Sequence, residues 1–150
     1  MTESVLAASH FIAILMLVTF LAIETALMRP LWMPAALASL PRYDRLYRGM
    51  LALVLITGLL RLMLGAKGAA FDLGNPLFHV KLTGFAVMVL LAIPVARQLR
   101  IWQSAALADP AFVPNEADLR RLRRIPMLAV HLLVILPVLA ALVARGHGLR

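Results

Sequence analysis

Four long apolar stretches, separated by loops rich in proline, glycine and arginine, dominate the pattern of the chain. They predict helices over residues 5–27, 47–64, 77–96 and 126–143. At a rise of about 1.5 Å per residue, about 20 apolar residues cross the ~30 Å hydrocarbon core of a bilayer. We therefore expect an all-α integral membrane protein, a four-helix bundle formed by a single domain, residues 1–150.

The loop after the third stretch, from residue 97 to residue 125, carries a helical pattern of its own. Asn115 is a suitable N-cap, and Asp118 precedes a run of arginines, which is the charge order that the helix dipole favours. Leu119, Leu122 and Ile125 recur at a spacing of three, so one face of this helix is apolar and the rest is basic. We predict a short amphipathic helix that lies at the membrane interface before the fourth span.

Composition supports a membrane protein and excludes several kinds of chemistry. Hydrophobic residues make up 63% of the chain, against roughly 45–50% in soluble domains. The chain has no cysteine, which excludes disulfides, thiolate zinc sites and covalent c-type haem attachment. A net charge of +8 is typical of a membrane protein with basic loops, so we expect membrane lipids as partners and no nucleic acid.

Lysines and arginines are unevenly divided between the two sides of the expected bundle. The first and third loops, with the helix ends beside them, carry ten of these residues. The opposite side carries five, namely Arg61, Lys67, Lys81, Arg145 and Arg150. By the positive-inside rule, the two basic loops face the cytoplasm and both termini lie on the outer side.

Ionisable residues inside the predicted spans are the candidates for function, because each costs several kcal/mol in lipid unless it faces a partner or a cavity. His10 and Glu24 lie fourteen residues apart in the first span, which places them about 40° apart on one face of the helix. The rise per residue sorts the candidates into two layers. The outer layer holds His10, Arg61, His79 and Lys81, and the inner layer holds Glu24, Arg48, Arg97 and His131.

Each candidate has a structural alternative beside the functional one. His10 suits a metal or axial haem ligand or a proton carrier, and it equally suits a hydrogen bond between helices. Glu24 and His131 suit either a proton relay or a structural hydrogen bond near the interface. Lys81 suits a binding residue or one that snorkels to the outer surface, and Arg61 is more typical of an interface residue than of a ligand.

Short motifs in the chain resemble those of known membrane proteins. The run RLYRGM over residues 45–50 resembles the entry of the second span in HemJ-type protoporphyrinogen oxidases. His10, the pair Arg29-Pro30, and the run FHVKL around Lys81 are similar to that family as well. As a whole, the chain resembles an uncharacterised bacterial family of four-helix membrane proteins that is grouped with the HemJ and CopD families.

The resemblance implies a four-helix, multi-pass protein of the bacterial inner membrane, a b-type haem, and functional roles for His10, Arg48 and Lys81. A porphyrin needs an apolar slot, an imidazole for its iron and cations at its propionates. The outer layer offers His10 with Arg61 and Lys81. Our leading hypothesis is therefore a haem-binding protein. If it is an enzyme, we expect a HemJ-like oxidoreductase that passes electrons to a lipid-soluble acceptor. One chain or a homodimer could enclose the slot.

Two further functions draw on other residues. Glu24, His131 and the prolines at 94 and 137 suit a proton-coupled or copper-handling transport component of the CopD type. The arginines between residues 120 and 124 suit a structural subunit that holds anionic lipid or a partner protein. The sequence leaves the choice among these functions open, including whether the protein is an enzyme.

Overall fold

The structure, a computed structural model, describes residues 2–33, 35–65 and 68–148. Lys67 and Arg150, which enter the charge count above, lie outside the described residues. The helices are α1 (Thr2–Leu27), two 3-10 turns (Pro30–Trp32 and Ala35–Ala38), α2 (Leu40–Leu64), α3 (Ala69–Leu73), α4 (Pro76–Ala108) and α5 (Glu116–Ala144). No strand occurs among the described residues, and the expected all-α fold is confirmed.

Four helices, α1, α2, α4 and α5, are long and apolar enough to cross a membrane. Large apolar side chains stay exposed on their outer faces, and Phe11, Leu90 and Val134 are each more than 60% exposed. Such a surface is stable against acyl chains and unfavourable in water. The four apolar helices expected from the sequence are therefore confirmed, while the side on which the termini lie stays a prediction.

The long helices pair into two hairpins. α1 packs along α2 and α4 packs along α5, and contacts from α2 to α4 and from α1 to α5 complete the bundle. Buried positions recur every three or four residues, which is the spacing of one helix face. The central core consists of Ala13, Leu17, Leu21, Tyr47, Leu51, Val54, Met88, Ala92 and Ala129.

α4 continues for twelve residues beyond Ala96, where the third span was expected to end. The expected long loop is therefore wrong, and only residues 109–115 separate α4 from α5. The helix continues because Leu99 and Trp102 extend its buried face into a second core, which we call the cap. The cap consists of Met28, Ala36, Leu37, Leu40, Val95, Leu99, Trp102, Leu119 and Leu122.

The basic segment before the fourth span forms the beginning of α5, so the prediction of a separate interfacial helix is wrong. Asn115 is the N-cap as predicted, since its side-chain oxygen accepts the backbone N–H of Ala117 at 2.8 Å. Leu119 and Leu122 form the apolar face as expected, but they are buried in the cap. Because protein covers this face, the segment does not need lipid, and the helix runs on through Pro126.

Asn75 ties the opposite end of the bundle together. Its side chain is fully buried, accepts the backbone N–H of Leu77 and donates to the carbonyl of His147. Gly148 has a φ of +92°, and a Cβ there would lie 2.7 Å from the Asn75 side-chain oxygen. The turn after α5 therefore requires glycine at this position.

Candidate functional site

A small cavity lies where all four long helices meet. α1 contributes Glu24 to its lining and α2 contributes Tyr47, while the rest of the lining is apolar. The remaining residues are Leu91, Ala92 and Val95 of α4 and Ile125, Pro126 and Ala129 of α5. Its volume is about 10 Å³, which is close to the least space that one water molecule occupies. The site is therefore sized for a water or a proton carrier and not for a large cofactor.

The polar atoms around this cavity are buried and poorly paired. Glu24 is 1% exposed, and its Oε2 has no hydrogen-bond partner within the described residues. The Tyr47 hydroxyl and the Oδ1 of Asp44 are also buried without a partner there. Each such group costs roughly 1–3 kcal/mol relative to a hydrogen-bonded one. A cluster of this cost inside a membrane bundle is typical of a functional site.

One face of α2 connects this cluster to the surface. Tyr47 and Arg48 lie three and four residues after Asp44, so both are neighbours of Asp44 on the helix surface. Asp44 Oδ2 accepts hydrogen bonds from Arg48 at 3.0 Å (Nε) and 2.8 Å (Nη2). The Arg48 side chain is 39% exposed, whereas that of Asp44 is buried. Glu24 interacts electrostatically with both residues, so the buried carboxyl is coupled to a charge at the surface.

His10 occupies a separate site between α1 and α2, about four helical turns from Glu24. Its Nδ1 lies 2.8 Å from Thr57 Oγ1, and Thr57 donates its hydroxyl proton to the carbonyl of Leu53 at 2.7 Å. A hydroxyl has a single proton, so when Thr57 donates it to Leu53 it accepts a hydrogen bond from His10. In that arrangement the imidazole proton lies on Nδ1, and Nε2 has a lone pair for a ligand or a proton.

The expected outer layer is partly assembled around His10. Arg61 and Lys81 both interact electrostatically with the imidazole. The Lys81 ammonium lies 4.7 Å from the centre of the Phe78 ring, a cation–π contact. His79 is exposed and donates from Nε2 to the carbonyl of Leu73 at 2.9 Å. The structure thus groups His10, Arg61 and Lys81 and places His79 outside the group.

Glu24 and His131, paired above as a candidate relay, are not brought together. Ala129 faces the cavity beside Glu24, and His131 follows it by two residues, which is about 200° around α5. The His131 side chain is consequently exposed, and its Nδ1 donates to the carbonyl of Met127 at 2.7 Å. Among the residues that the structure describes, no group of three or more His, Cys, Asp or Glu side chains is placed to hold a metal ion.

Sequence reasoning missed Asp44, Tyr47 and Thr57 as site residues. The second span was expected to begin at Tyr47, whereas α2 begins at Leu40, and this error left Asp44 in a loop. All three residues belong to the buried stripe of α2, together with Leu51. Their helical spacing is the signal that could have identified them.

Comparison with known proteins identifies the family and nothing finer. No curated protein and no solved structure matches the chain. The resemblance to HemJ-type oxidases and CopD proteins is therefore without support from these comparisons. The family model described as "Predicted membrane protein (DUF2214)" matches residues 2–148, so this integral membrane protein belongs to that family.

Proposed function

We propose that the protein is a proton-coupled transport component of a bacterial inner membrane, in which Glu24 is the group that exchanges protons. The observation that carries this proposal is the unpartnered Oε2 of Glu24 beside a water-sized cavity at the junction of four helices. An intramembrane carboxyl of this kind is commonly part of a proton or ion pathway. No hydrogen bond to Oε2 within the described residues gives the carboxyl a structural role at this position.

The polar groups near Glu24 suggest access from one end of the bundle only. Tyr47 and Asp44 interact electrostatically with Glu24, and Asp44 is bonded to the partly exposed Arg48. These side chains offer a short route by which a proton moves between the cavity and the end of the bundle that carries the cap. A single water in the cavity would complete the contact between the carboxyl and the phenol.

Apolar side chains block the movement of protons from Glu24 toward His10 and the opposite end of the bundle. Between Glu24 and His10, a distance of about 21 Å along α1, the buried residues include Ala13, Leu17 and Leu21. A proton-coupled transporter must prevent a continuous leak, and a dry layer of this thickness meets that requirement. In this proposal the layer opens transiently when a membrane potential or a pH gradient drives protons through the protein.

Proton flux into liposomes tests the proposal. With a pH-sensitive dye inside and a potassium diffusion potential imposed, the wild-type protein should take up protons faster than protein-free liposomes. Glu24→Gln, which preserves the size of the side chain, should reduce the flux to the protein-free rate, and Tyr47→Phe should lower it. Glu3→Gln is the matched control, because Glu3 is an exposed acid on the same helix. Undiminished flux in Glu24→Gln would contradict the proposal.

Haem binding through His10 is a second proposal, and it is supported by the contact of Nδ1 with Thr57, which leaves Nε2 as the ring nitrogen available to a ligand. His10 lines neither the cavity at Glu24 nor the groove described below. Neither of these two spaces can hold a porphyrin against His10, so a porphyrin on this residue would lie on the lipid-facing side of α1 and α2. An oxidoreductase activity toward a lipid-soluble acceptor would depend on this binding. The copper-handling alternative has no cluster of ligands among the described residues to support it.

An absorption spectrum tests haem binding. Purified protein titrated with haemin should gain a Soret band that His10→Ala removes and His79→Ala, a substitution at an exposed histidine of the same layer, retains. A spectrum without that band, or one unchanged in His10→Ala, rules out His10 as a haem ligand.

A further inference from the structure

A groove opens on the outside of the bundle, between the first half of α5 and the turn that follows α1. Its volume is about 350 Å³, and its lining residues are Pro30, Arg120, Arg123, Arg124, Met127, Leu128 and His131. The members from α5 recur every three or four residues, so they form one face of the helix. This surface, which we call the arginine groove, is separate from the cavity at Glu24 and plays no part in the proton route.

The end of the arginine groove nearest the cap is strongly basic. Arg120 is paired with the exposed Glu116 at 2.8 Å, whereas Arg123 and Arg124 have no ion pair within the described residues. Arg123 Nε donates to the carbonyl of Thr25 at 3.3 Å, which holds its guanidinium against the end of α1. The terminal nitrogens remain for a ligand, and guanidinium groups bind phosphate oxygens in a forked geometry.

The other end of the groove is apolar except for His131, which lies about one turn beyond Met127. Met127 and Leu128 lie about one turn beyond the arginines, so Leu128 is about 6 Å further along α5 than Arg124. α5 continues in this direction as an apolar helix long enough to cross the bilayer. A crossing that begins near Pro126, as expected from the sequence, would place the basic end at the level of lipid phosphates and the apolar end where acyl chains begin.

We propose that the arginine groove binds an anionic phospholipid. Arg123 and Arg124 hold its phosphate, and Met127 and Leu128 pack against the first carbons of an acyl chain. Charge complementarity selects an anion, and the adjoining apolar surface selects a ligand that carries a hydrocarbon chain. A soluble phosphate satisfies only the first of these requirements, so the groove is matched to a membrane lipid.

Tryptophan fluorescence can report occupancy of the groove. Trp32 is exposed two residues after Pro30, whereas Trp102 is buried in the cap, so contact quenching by brominated lipid monitors Trp32. Comparing brominated phosphatidylglycerol with brominated phosphatidylcholine in proteoliposomes gives the relative affinity for anionic lipid. The wild type should prefer the anionic lipid, and the double variant Arg123→Gln, Arg124→Gln should lose about 25-fold in relative affinity, at about fivefold for each arginine.

The double variant Arg42→Gln, Arg97→Gln is the matched control, because it removes the same charge from exposed positions at the same end of the bundle. It should keep the preference of the wild type. The single variant Arg124→Gln, at an exposed position, should lose about fivefold and guards against misfolding of the double variant. An unchanged preference in the groove variants, or an equal loss in the control, would overturn the proposal. Displacement of the lipid by an equal concentration of inorganic phosphate would also overturn it.

Discussion

Leu99→Ala should destabilise the protein more than the same substitution at Leu21, although both side chains are almost completely buried. Leu99 belongs to the cap, and a crossing of about 20 residues that starts at Leu77 would end near Ala96 and leave Leu99 beyond the hydrocarbon. Unfolding the cap exposes apolar surface to water, whereas Leu21 exchanges protein contacts for equally apolar lipid. The free energy of transfer from water therefore contributes to the effect of the substitution at Leu99 and not at Leu21.

The magnitude follows from that term. Leu→Ala removes about three methylene equivalents, which is about 2 kcal/mol of transfer from water at about 0.8 kcal/mol each. The cavity that remains adds about 1 kcal/mol at either site. We expect the free energy of unfolding to fall by about 3 kcal/mol for Leu99→Ala and by about 1 kcal/mol for Leu21→Ala.

Unfolding by SDS in mixed micelles, followed by circular dichroism, measures both changes. Leu107→Ala is the control on α4, because Leu107 is 82% exposed and its truncation should change stability by less than about 0.5 kcal/mol. If Leu99→Ala proves as harmless as this control, the cap does not contribute a core. Equal losses at Leu99 and Leu21 would refute the idea that the cap unfolds into water and the central core unfolds into lipid.

Two further predictions concern α2 and the end of the bundle that Asn75 closes. A Cβ on Gly58 would lie 3.3 Å from the His10 ring, whereas one on Gly49 would meet nothing within 4 Å. Gly49→Ala should therefore raise the free energy of unfolding by about 0.5–1 kcal/mol, because alanine favours the helix. Gly58→Ala should raise the free energy of unfolding less, or lower it, because its methyl group crowds the ring. Equal gains at both positions would show that the ring is free to move. Asn75→Ala removes a buried helix N-cap and a hydrogen bond to the turn after α5. The free energy of unfolding should therefore fall by about 1–3 kcal/mol, which lowers the thermal midpoint. An unchanged midpoint would mean that the turn is not held by this side chain.

The sequence was sufficient for the parts of the fold that depend on apolar length. The four membrane helices, the N-cap at Asn115 and the apolar face at Leu119 and Leu122 all follow from local pattern. The second core, which we call the cap, could not be predicted in this way, because α4 continues beyond Ala96 only where Leu99 meets partners from distant segments. An amphipathic basic segment has the same pattern whether lipid or protein covers its apolar face.

The candidate site divides in the same way. Depth along the helices grouped His10 with Arg61 and Lys81, because rise per residue converts position into height, and the two cations do interact electrostatically with the imidazole. Rotation around the helix was harder to infer: Glu24 faces the bundle interior, whereas His131, assigned to the same layer, faces outward. Height in the bundle does not tell whether a side chain faces the interior or the outside. The positions buried on α5 are needed to see that His131 faces outward.

The stability of Glu24→Met distinguishes a carboxyl that is present for chemistry from one that is present for packing. Methionine fills a similar volume without a polar atom, so the cost of the unpartnered Oε2 disappears. We predict that the free energy of unfolding, measured by SDS titration, rises by about 1–3 kcal/mol while proton flux is lost. A fall of similar size would show that the carboxyl holds the four helices together, and Glu24 would then be a structural residue.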